Sequence, residues 1–296
     1  MEELLDIPLM ELVCSADKVR REENLRLELC SIMNAKSGLC SEDCKFCAQS
    51  MRYKTGVAEY PLKERDEMKE KALFAKEIGA ERFGIVTSGG SLSPKEIDAI
   101  CEAISEIERE ISVCASLGRL DRAQLSALRS AGLKRYHHNI ETSERNFPNV
   151  VTTHTFKDRL STIEAAKEVG LEVCSGGIVG IGESWQDRLD MANLLKRLNV
   201  DSVPINFLIP IKGTPYEGLS QISPADAIRT VAIFRMVVKD TTIKVAAGRE
   251  SLGDFQAMLF MAGANGMIIG GYLTVRGRNL QDDRRLIEEI EKIWYE

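Results

Sequence analysis

The sequence predicts an α/β fold, a TIM-type (β/α)8 barrel preceded by an N-terminal helix. Three observations lead there. Eight short apolar runs, at residues 25–33, 82–88, 111–117, 134–141, 171–177, 201–210, 242–248 and 266–270, alternate with longer charged stretches of helical period. Several of those stretches end in glycine, as helix C-caps do. Strand–helix alternation indicates a parallel sheet, and eight strands is the number at which such a sheet closes into a barrel.

Residues 1–23 read as an amphipathic helix with Leu4, Leu5, Leu9, Leu12 and Val13 on its apolar side. Residues 24–296 make up the barrel, and 1–296 is a single domain without linker or low-complexity segment. At period two, each strand then separates into two faces. In the first, Leu25, Leu27 and Leu29 oppose Arg26, Glu28 and Cys30. In the third, Ile111, Val113 and Leu117 oppose Ser112, Cys114 and Ser116. In the fourth, Tyr136, His138 and Ile140 oppose Arg135, His137, Asn139 and Glu141. In the fifth, Leu171 and Val173 oppose Glu172, Cys174 and Gly176; in the sixth, Val203, Ile205 and Phe207 oppose Asn206. The helix-facing side of a barrel strand must be apolar, so the polar face is the lumen. Ordinary barrels fill that lumen with branched aliphatics. Thiols, amides and charges there predict a reaction chamber.

The net charge of −6 makes no electrostatic case for nucleic acid or an anionic membrane as partner. The first residues lack a basic segment followed by an apolar core, and no apolar run approaches membrane-spanning length. The expectation is a cytoplasmic protein, where disulfides are rare, so the eight cysteines call for burial, metal binding or catalysis. Cys14 and Cys101 fall on helices and read as small buried hydrophobes.

The segment SGLCSEDCKFCAQSMRYKTG places Cys40, Cys44 and Cys47 together just after the first strand, at the end of the barrel where active sites sit. A structural zinc site wants four ligands, and no second Cys or His pair is near. Three thiolates on a four-iron cubane leave one iron open, as a catalytic centre requires. The alternatives are a zinc site with a distant fourth ligand, or a chance spacing; the strand before the loop weighs against both.

This C-x3-C-x2-C loop, with Phe46 before its last cysteine, resembles the signature of the radical S-adenosylmethionine superfamily. Within it the chain is similar to the biotin synthases over nearly its whole length, through NAKSGLCSEDCKFCAQSMRYKTG, YHHNIETS, VTTHTFKDRLSTI, VCSGGIVGIGE, DSVPINFLIPIKGTP and KVAAGRE. The resemblance implies a 4Fe–4S cluster on Cys40, Cys44 and Cys47, S-adenosylmethionine on its open iron, and radical insertion of sulfur into dethiobiotin from an auxiliary iron–sulfur cluster. It implies Arg159 at the cofactor's carboxylate, Glu141 at its ribose, and the backbone around Phe46 and Ile178 at its adenine. Asn139 and Asn206 would contact dethiobiotin; an amide offers a neutral urea both donor and acceptor. A flavodoxin- or ferredoxin-type electron donor and a homodimer are also implied.

The family's usual auxiliary ligands are three cysteines and an arginine. Cys114, Cys174 and Arg249 match three of these; the fourth position is Gly84, which has no side chain to offer. Cys30 lies on the lumen face of the neighbouring strand, and adjacent strands are about 4.8 Å apart. The expectation is an auxiliary cluster held by Cys30, Cys114 and Cys174 with Arg249 near it. Three thiolates suit a four-iron cluster with one open iron better than a two-iron cluster. Two rivals remain: a hydrogenase-maturation or methylornithine-type radical enzyme acting on another small molecule, and a non-catalytic iron–sulfur carrier.

Overall fold

The computed structural model describes residues 2–275 and 277–296. Nine parallel strands, β1 (Glu28–Lys36), β2 (Arg82–Thr87), β3 (Ser112–Ser116), β4 (Arg135–His137), β5 (Glu172–Cys174), β6 (Gly177–Val179), β7 (Ser202–Phe207), β8 (Thr242–Val245) and β9 (Gly266–Ile268), form one sheet. Its order runs β5-β4-β3-β2-β1-β9-β8-β7-β6, and a β5–β7 pairing closes it. β5 and β6 are two halves of one barrel position, so the barrel has the eight positions that the alternation predicts. The fifth apolar run is divided because its neighbour β7 carries Pro204 between the residues that pair with Cys174 and Gly177. Proline has no N–H for the ladder. At that break the two backbones nearly touch: a Cβ on Gly176 would lie 2.0 Å from the Pro204 carbonyl oxygen.

The helices start where short polar side chains cap free N–H groups. Ser93 with Glu96, Asp121 with Gln124, Thr155 with Asp158 and Ser184 with Asp187 each form a reciprocal capping box. The helix Leu9–Glu22 buries Leu12, Val13, Ala16 and Arg20 and packs on the helix Pro224–Val237. The Arg20 guanidinium stands 3.9 Å over the Trp294 ring, which joins the N-terminal helix to the C-terminal helix Leu280–Tyr295. Between sheet and helices lies an aliphatic shell in which Phe83, Ile85, Val113, Tyr136, Val203 and Ile243 are at most 1% exposed.

The lumen is ionic at its N-terminal end. Glu28 accepts from Arg82 at 2.8 Å, Arg135 at 2.9 Å and Lys244 at 3.0 Å, and Glu172 accepts from Arg82 at 3.1 Å and Arg135 at 2.8 Å. Burial pushes the Glu28 carboxyl up, but Lys244, Arg135 and Arg82 outweigh it and hold the group well below the usual carboxylate range. Removing one partner from a buried ion network leaves uncompensated charge. Glu28→Ala is therefore expected to destabilise the anaerobically purified protein by about 3 kcal/mol in urea unfolding. A loss within about 0.5 kcal/mol, the range of surface substitutions, would mean that the floor does not depend on Glu28.

Candidate functional site

Above this floor the lumen opens into a chamber of two adjoining lobes, about 270 and 300 Å3, that share Phe46, Cys47, Asn139, Glu141 and Asn206 among their walls. The first lobe holds the polar chemistry: Cys30, Cys40, Cys44, Cys47, Cys174, Arg159 and Lys244 face it. The second is more apolar, with Ile178, Phe207, Ile209 and Leu273 in its wall.

The three-cysteine loop begins with two residues in the left-handed region, Gly38 (φ 75°) and Leu39 (φ 52°), which turn the chain off β1 across the barrel mouth. Its two limbs are tied together: Cys40 N–H donates to the Gln49 carbonyl at 3.0 Å and Met51 N–H to the Cys40 carbonyl at 2.8 Å. Cys47 N–H donates to the Cys44 carbonyl at 2.9 Å. The acids between the first two cysteines fasten the loop to the segment 152–154. Asp43 accepts from Thr152 N–H at 2.8 Å and Thr153 N–H at 3.1 Å. Glu42 accepts from Arg119 at 2.8 Å, from Thr153 Oγ1, and pairs with His154 Nδ1 at 2.7 Å. Burial raises the Glu42 carboxyl, but these bonds prevail and bring it down to about 2.

Cys40, Cys44 and Cys47 are free thiols, and Cys40 is close enough to the other two to raise the pKa of both. Burial contributes most, pushing Cys44 well above the ordinary thiol range and Cys47 up to about 11. Among the described residues no three His, Cys, Asp or Glu side chains converge tightly enough to hold a single ion. All three thiols of the loop face the first lobe, and thiolate is the donor type that holds iron–sulfur clusters. Cys44 and Cys47 are protonated without a bound metal, so binding iron would release their protons.

Around the loop lie the expected cofactor residues. Arg159 donates from Nη1 to the Asn139 carbonyl at 2.9 Å and stands 3.6 Å from Glu141. Its Nε is buried without a partner, a free donor that fits an anionic ligand group. Glu141 sits at φ 67°, a strained conformation for a non-glycine residue. Burial raises its carboxyl, against the pull of Arg159 and Asn139. Phe46 borders both lobes and Ile178 the second. Asn139 and Asn206 are each held by backbone. Asn139 Oδ1 accepts from Gly176 N–H at 3.2 Å; Asn206 donates to the Gly177 carbonyl at 3.2 Å and accepts from Ala247 N–H at 3.3 Å. Those bonds fix the amides' orientation and leave part of their hydrogen-bonding capacity facing the chamber.

Deeper in the barrel, Cys30, Cys114 and Cys174 are all free and at most 3% exposed. They come together: Cys30 raises the pKa of Cys114, and Cys174 that of Cys30. Burial is the larger cause in both, and Cys114 is pushed up to about 12. Gly84 pairs with Ile32 on one side and Cys114 on the other. A Cβ there would meet only Ile32 Cγ2 at 3.1 Å and, farther off, His137 and the Ser31 carbonyl at 3.8 Å.

One expectation is corrected. Arg249 does not stand beside these cysteines. Gly248, at φ 85°, turns the chain off β8 before Arg249, whose guanidinium is bound to Gln256 at 2.8 Å and Asp283 at 2.7 Å outside the lumen. Of the cations within reach of the deep cysteines, Arg82, Arg135 and Lys244, it is Lys244 that contacts one directly, with Nζ 2.7 Å from Cys30 Sγ. Burial works against its charged form, but Cys30, Cys174 and Glu28 hold its pKa above the ordinary lysine range. Strict alternation along β8 marks it, since Ile243 and Val245 oppose Lys244. Sequence reasoning also missed the Glu42–His154 pair, because residues 112 apart give no local signal. Cys101 is half-buried, whereas Cys14 is exposed, contrary to expectation.

Comparison with known proteins agrees over the full length. Residues 36–195 match the family model of the Radical SAM superfamily, and residues 204–292 that of the Biotin and Thiamin Synthesis associated domain. The chain is 54% identical to the biotin synthase of Thermotoga petrophila, covering 99% of this chain and 98% of that one. It is 50% identical to the biotin synthase of Thermodesulfovibrio yellowstonii, covering 97% and 92%. Among solved structures, methylornithine synthase superposes with TM-score 0.83 at 21% identity over 98% of this chain and 91% of that one. The FeFe-hydrogenase maturase HydG of Carboxydothermus hydrogenoformans gives 0.79 at 18% over 95% and 70%. At those identities the structural likeness is one of fold.

Proposed function

The chain belongs to the biotin synthase family of radical S-adenosylmethionine enzymes, and we propose that its chamber divides the reaction between the mouth and the deep lumen. The reaction converts dethiobiotin to biotin: two C–H bonds are broken and one sulfur atom forms two C–S bonds. The 4Fe–4S cluster and S-adenosylmethionine supply the electron and the 5′-deoxyadenosyl radical that abstracts hydrogen, and an auxiliary iron–sulfur cluster supplies the sulfur.

The observation that carries the division is the grouping of six cysteines into two triads, of which Cys30, Cys40, Cys44, Cys47 and Cys174 line one chamber and Cys114 is buried within electrostatic reach of Cys30. Cys40, Cys44 and Cys47 would hold the loop cluster, a three-ligand set that would leave it an open site for the cofactor. Arg159 binds the cofactor's carboxylate through the side of its guanidinium that protein leaves free. Glu141 orients the ribose, and Phe46 and Ile178 flank the adenine. Cys30, Cys114 and Cys174 would hold the auxiliary cluster, with the Lys244 ammonium beside Cys30. The ionic floor lies beneath, at the N-terminal end of the lumen.

Asn206 and Asn139 receive the ureido ring of dethiobiotin. Asn206→Ala is expected to weaken dethiobiotin binding by about 1–3 kcal/mol, the cost of an unpaired buried polar group. The check is the concentration of dethiobiotin that half-maximally stimulates 5′-deoxyadenosine formation. An unchanged value would remove Asn206 from the substrate site.

The single-domain reading is supported by the strands that both matched families contribute to one closed sheet. None of the described helices is long and apolar enough to cross a membrane. A cytoplasmic setting, a homodimer, and a flavodoxin- or ferredoxin-type donor complete the proposal. They are tested by fractionation, sedimentation, and turnover with the reduced carrier.

A further inference from the structure

At the end of β8 the sheet departs from its own pattern. The last regular pair between β7 and β8 is Ile205 with Val245, and Ala246 N–H then donates to the Ile205 carbonyl at 3.0 Å. A regular parallel ladder would next join Phe207 N–H to the Ala246 carbonyl. Phe207 N–H donates instead to the Ala247 carbonyl, at 2.8 Å. One residue too many stands on the β8 side, as in a β-bulge, and the peptide between Ala246 and Ala247 is left out of the ladder. Ala246 borders the first lobe of the chamber and Ala247 the second. A carbonyl and an N–H released there need other partners.

Both groups find one. The Ala246 carbonyl accepts from the Tyr272 hydroxyl at 3.0 Å. The Ala247 N–H donates to Asn206 Oδ1 at 3.3 Å. A trans peptide is planar and sends its C=O and N–H in opposite directions, so holding the one holds the other. Asn206 Nδ2 donates to the Gly177 carbonyl at 3.2 Å. The amide is thereby oriented from both ends, with one Oδ1 lone pair and one Nδ2 hydrogen left over. Tyr272 is itself held in place. It follows Gly270 (φ 82°) and Gly271 (φ 111°), which turn the chain after β9, and it lines the second lobe. Burial pushes its hydroxyl above the ordinary range against the pull of Arg249, so the group is a donor. Arg249 is fixed in turn by Asp283 at 2.7 Å, Gln256 at 2.8 Å and the Ile268 carbonyl at 3.3 Å.

We infer that Tyr272 is a positioning residue for dethiobiotin: its hydroxyl, acting through the peptide of Ala246 and Ala247, fixes the orientation in which Asn206 meets the ureido ring. The inference rests on the reading of Asn206 as a dethiobiotin contact. A ureido group carries a carbonyl acceptor and N–H donors, so it needs a donor and an acceptor in a set order. With the peptide turned over, a carbonyl would face Oδ1, and the amide would have to flip and offer its donor and acceptor exchanged. The polar groups left unpaired by that mismatch weaken binding. Arg249 anchors Tyr272 from outside the lumen, so it bears on the substrate through Tyr272 and not by contact.

The experiment is a double-mutant cycle on dethiobiotin affinity. It measures equilibrium binding of labelled dethiobiotin to the anaerobically reconstituted full chain, with S-adenosylmethionine present and no reductant, so that nothing turns over. The variants are Tyr272→Phe, which removes only the hydroxyl, Asn206→Ala, and the two together. Tyr272→Phe is expected to raise the dissociation constant about 5-fold. In the Asn206→Ala background the same substitution should change it less than about 2-fold, because no amide is left to orient. With dithionite added, the rate of 5′-deoxyadenosine formation by Tyr272→Phe at saturating dethiobiotin should come within about 2-fold of the unmodified chain, a change in KM without one in kcat. Should Tyr272→Phe fail to load iron, the same cycle is run with Asp283→Asn, which withdraws the charge that fixes Arg249; the expected rise is about 3-fold, again lost in the Asn206→Ala background. Unchanged affinity beside a weakened Asn206→Ala overturns the relay. So does an equal loss in both backgrounds, which would make Tyr272 a direct contact or a plain part of the wall. Unchanged affinity of Asn206→Ala itself overturns the reading of Asn206 as a dethiobiotin contact, and the relay with it.

Discussion

Replacing Cys30 with alanine is expected to lower iron from about eight atoms per chain to about four, abolish biotin formation, and leave reductive cleavage of S-adenosylmethionine intact. The reasoning starts from register. Cys30 faces the lumen from β1, lies 2.7 Å from Lys244 and is within electrostatic reach of Cys174 and Cys114. Gly84, between β1 and β3, supplies no ligand and adds no bulk. With Cys30 gone, two thiolates remain for the auxiliary cluster, too few to hold a four-iron body. The loop triad is a separate group at the mouth and keeps its three ligands. Iron and sulfide quantitation with Mössbauer spectra decides the matter. A variant that retains full iron and makes biotin would return Cys30 to the buried thiols without function.

Replacing Cys40, Cys44 or Cys47 with alanine is expected to abolish 5′-deoxyadenosine formation, and biotin with it. Each thiol is one of only three anchors, and the fourth iron must stay open for the cofactor. Neither Glu42 nor Asp43 can substitute, because both carboxylates are committed to bonds with Arg119, His154, Thr152 and Thr153. The measurement is 5′-deoxyadenosine yield with dithionite as reductant, alongside iron content. If all three variants still cleave the cofactor, the catalytic cluster lies elsewhere in the chamber.

These expectations draw on different levels of information. The barrel was legible because period two along a strand and helical period between strands are local properties of the chain. Cys30, Cys114 and Cys174 could be assigned to the lumen from alternation alone, without knowing which strands adjoin. Lys244 carried the same signal, yet resemblance pointed to Arg249, five residues on and beyond the turn at Gly248. Alternation holds only while the chain remains a strand, and β8 ends at Val245. The fifth run shows the converse limit: its division into β5 and β6 depends on Pro204, a residue of another strand.

By itself the sequence determined the eight-position barrel, the polar lumen and the three-cysteine loop, because each follows from spacing along one segment. Only the tertiary structure decided which charges meet. Closure of the sheet brings Glu28 against Arg82, Arg135 and Lys244, and it sets Lys244 against Cys30. It also brings His154 onto Glu42 and sends Arg249 to Asp283. The reason is physical. A pairing between distant residues depends on strand order, register and the turns at strand ends, and a buried charge must take whichever partner that geometry brings within reach.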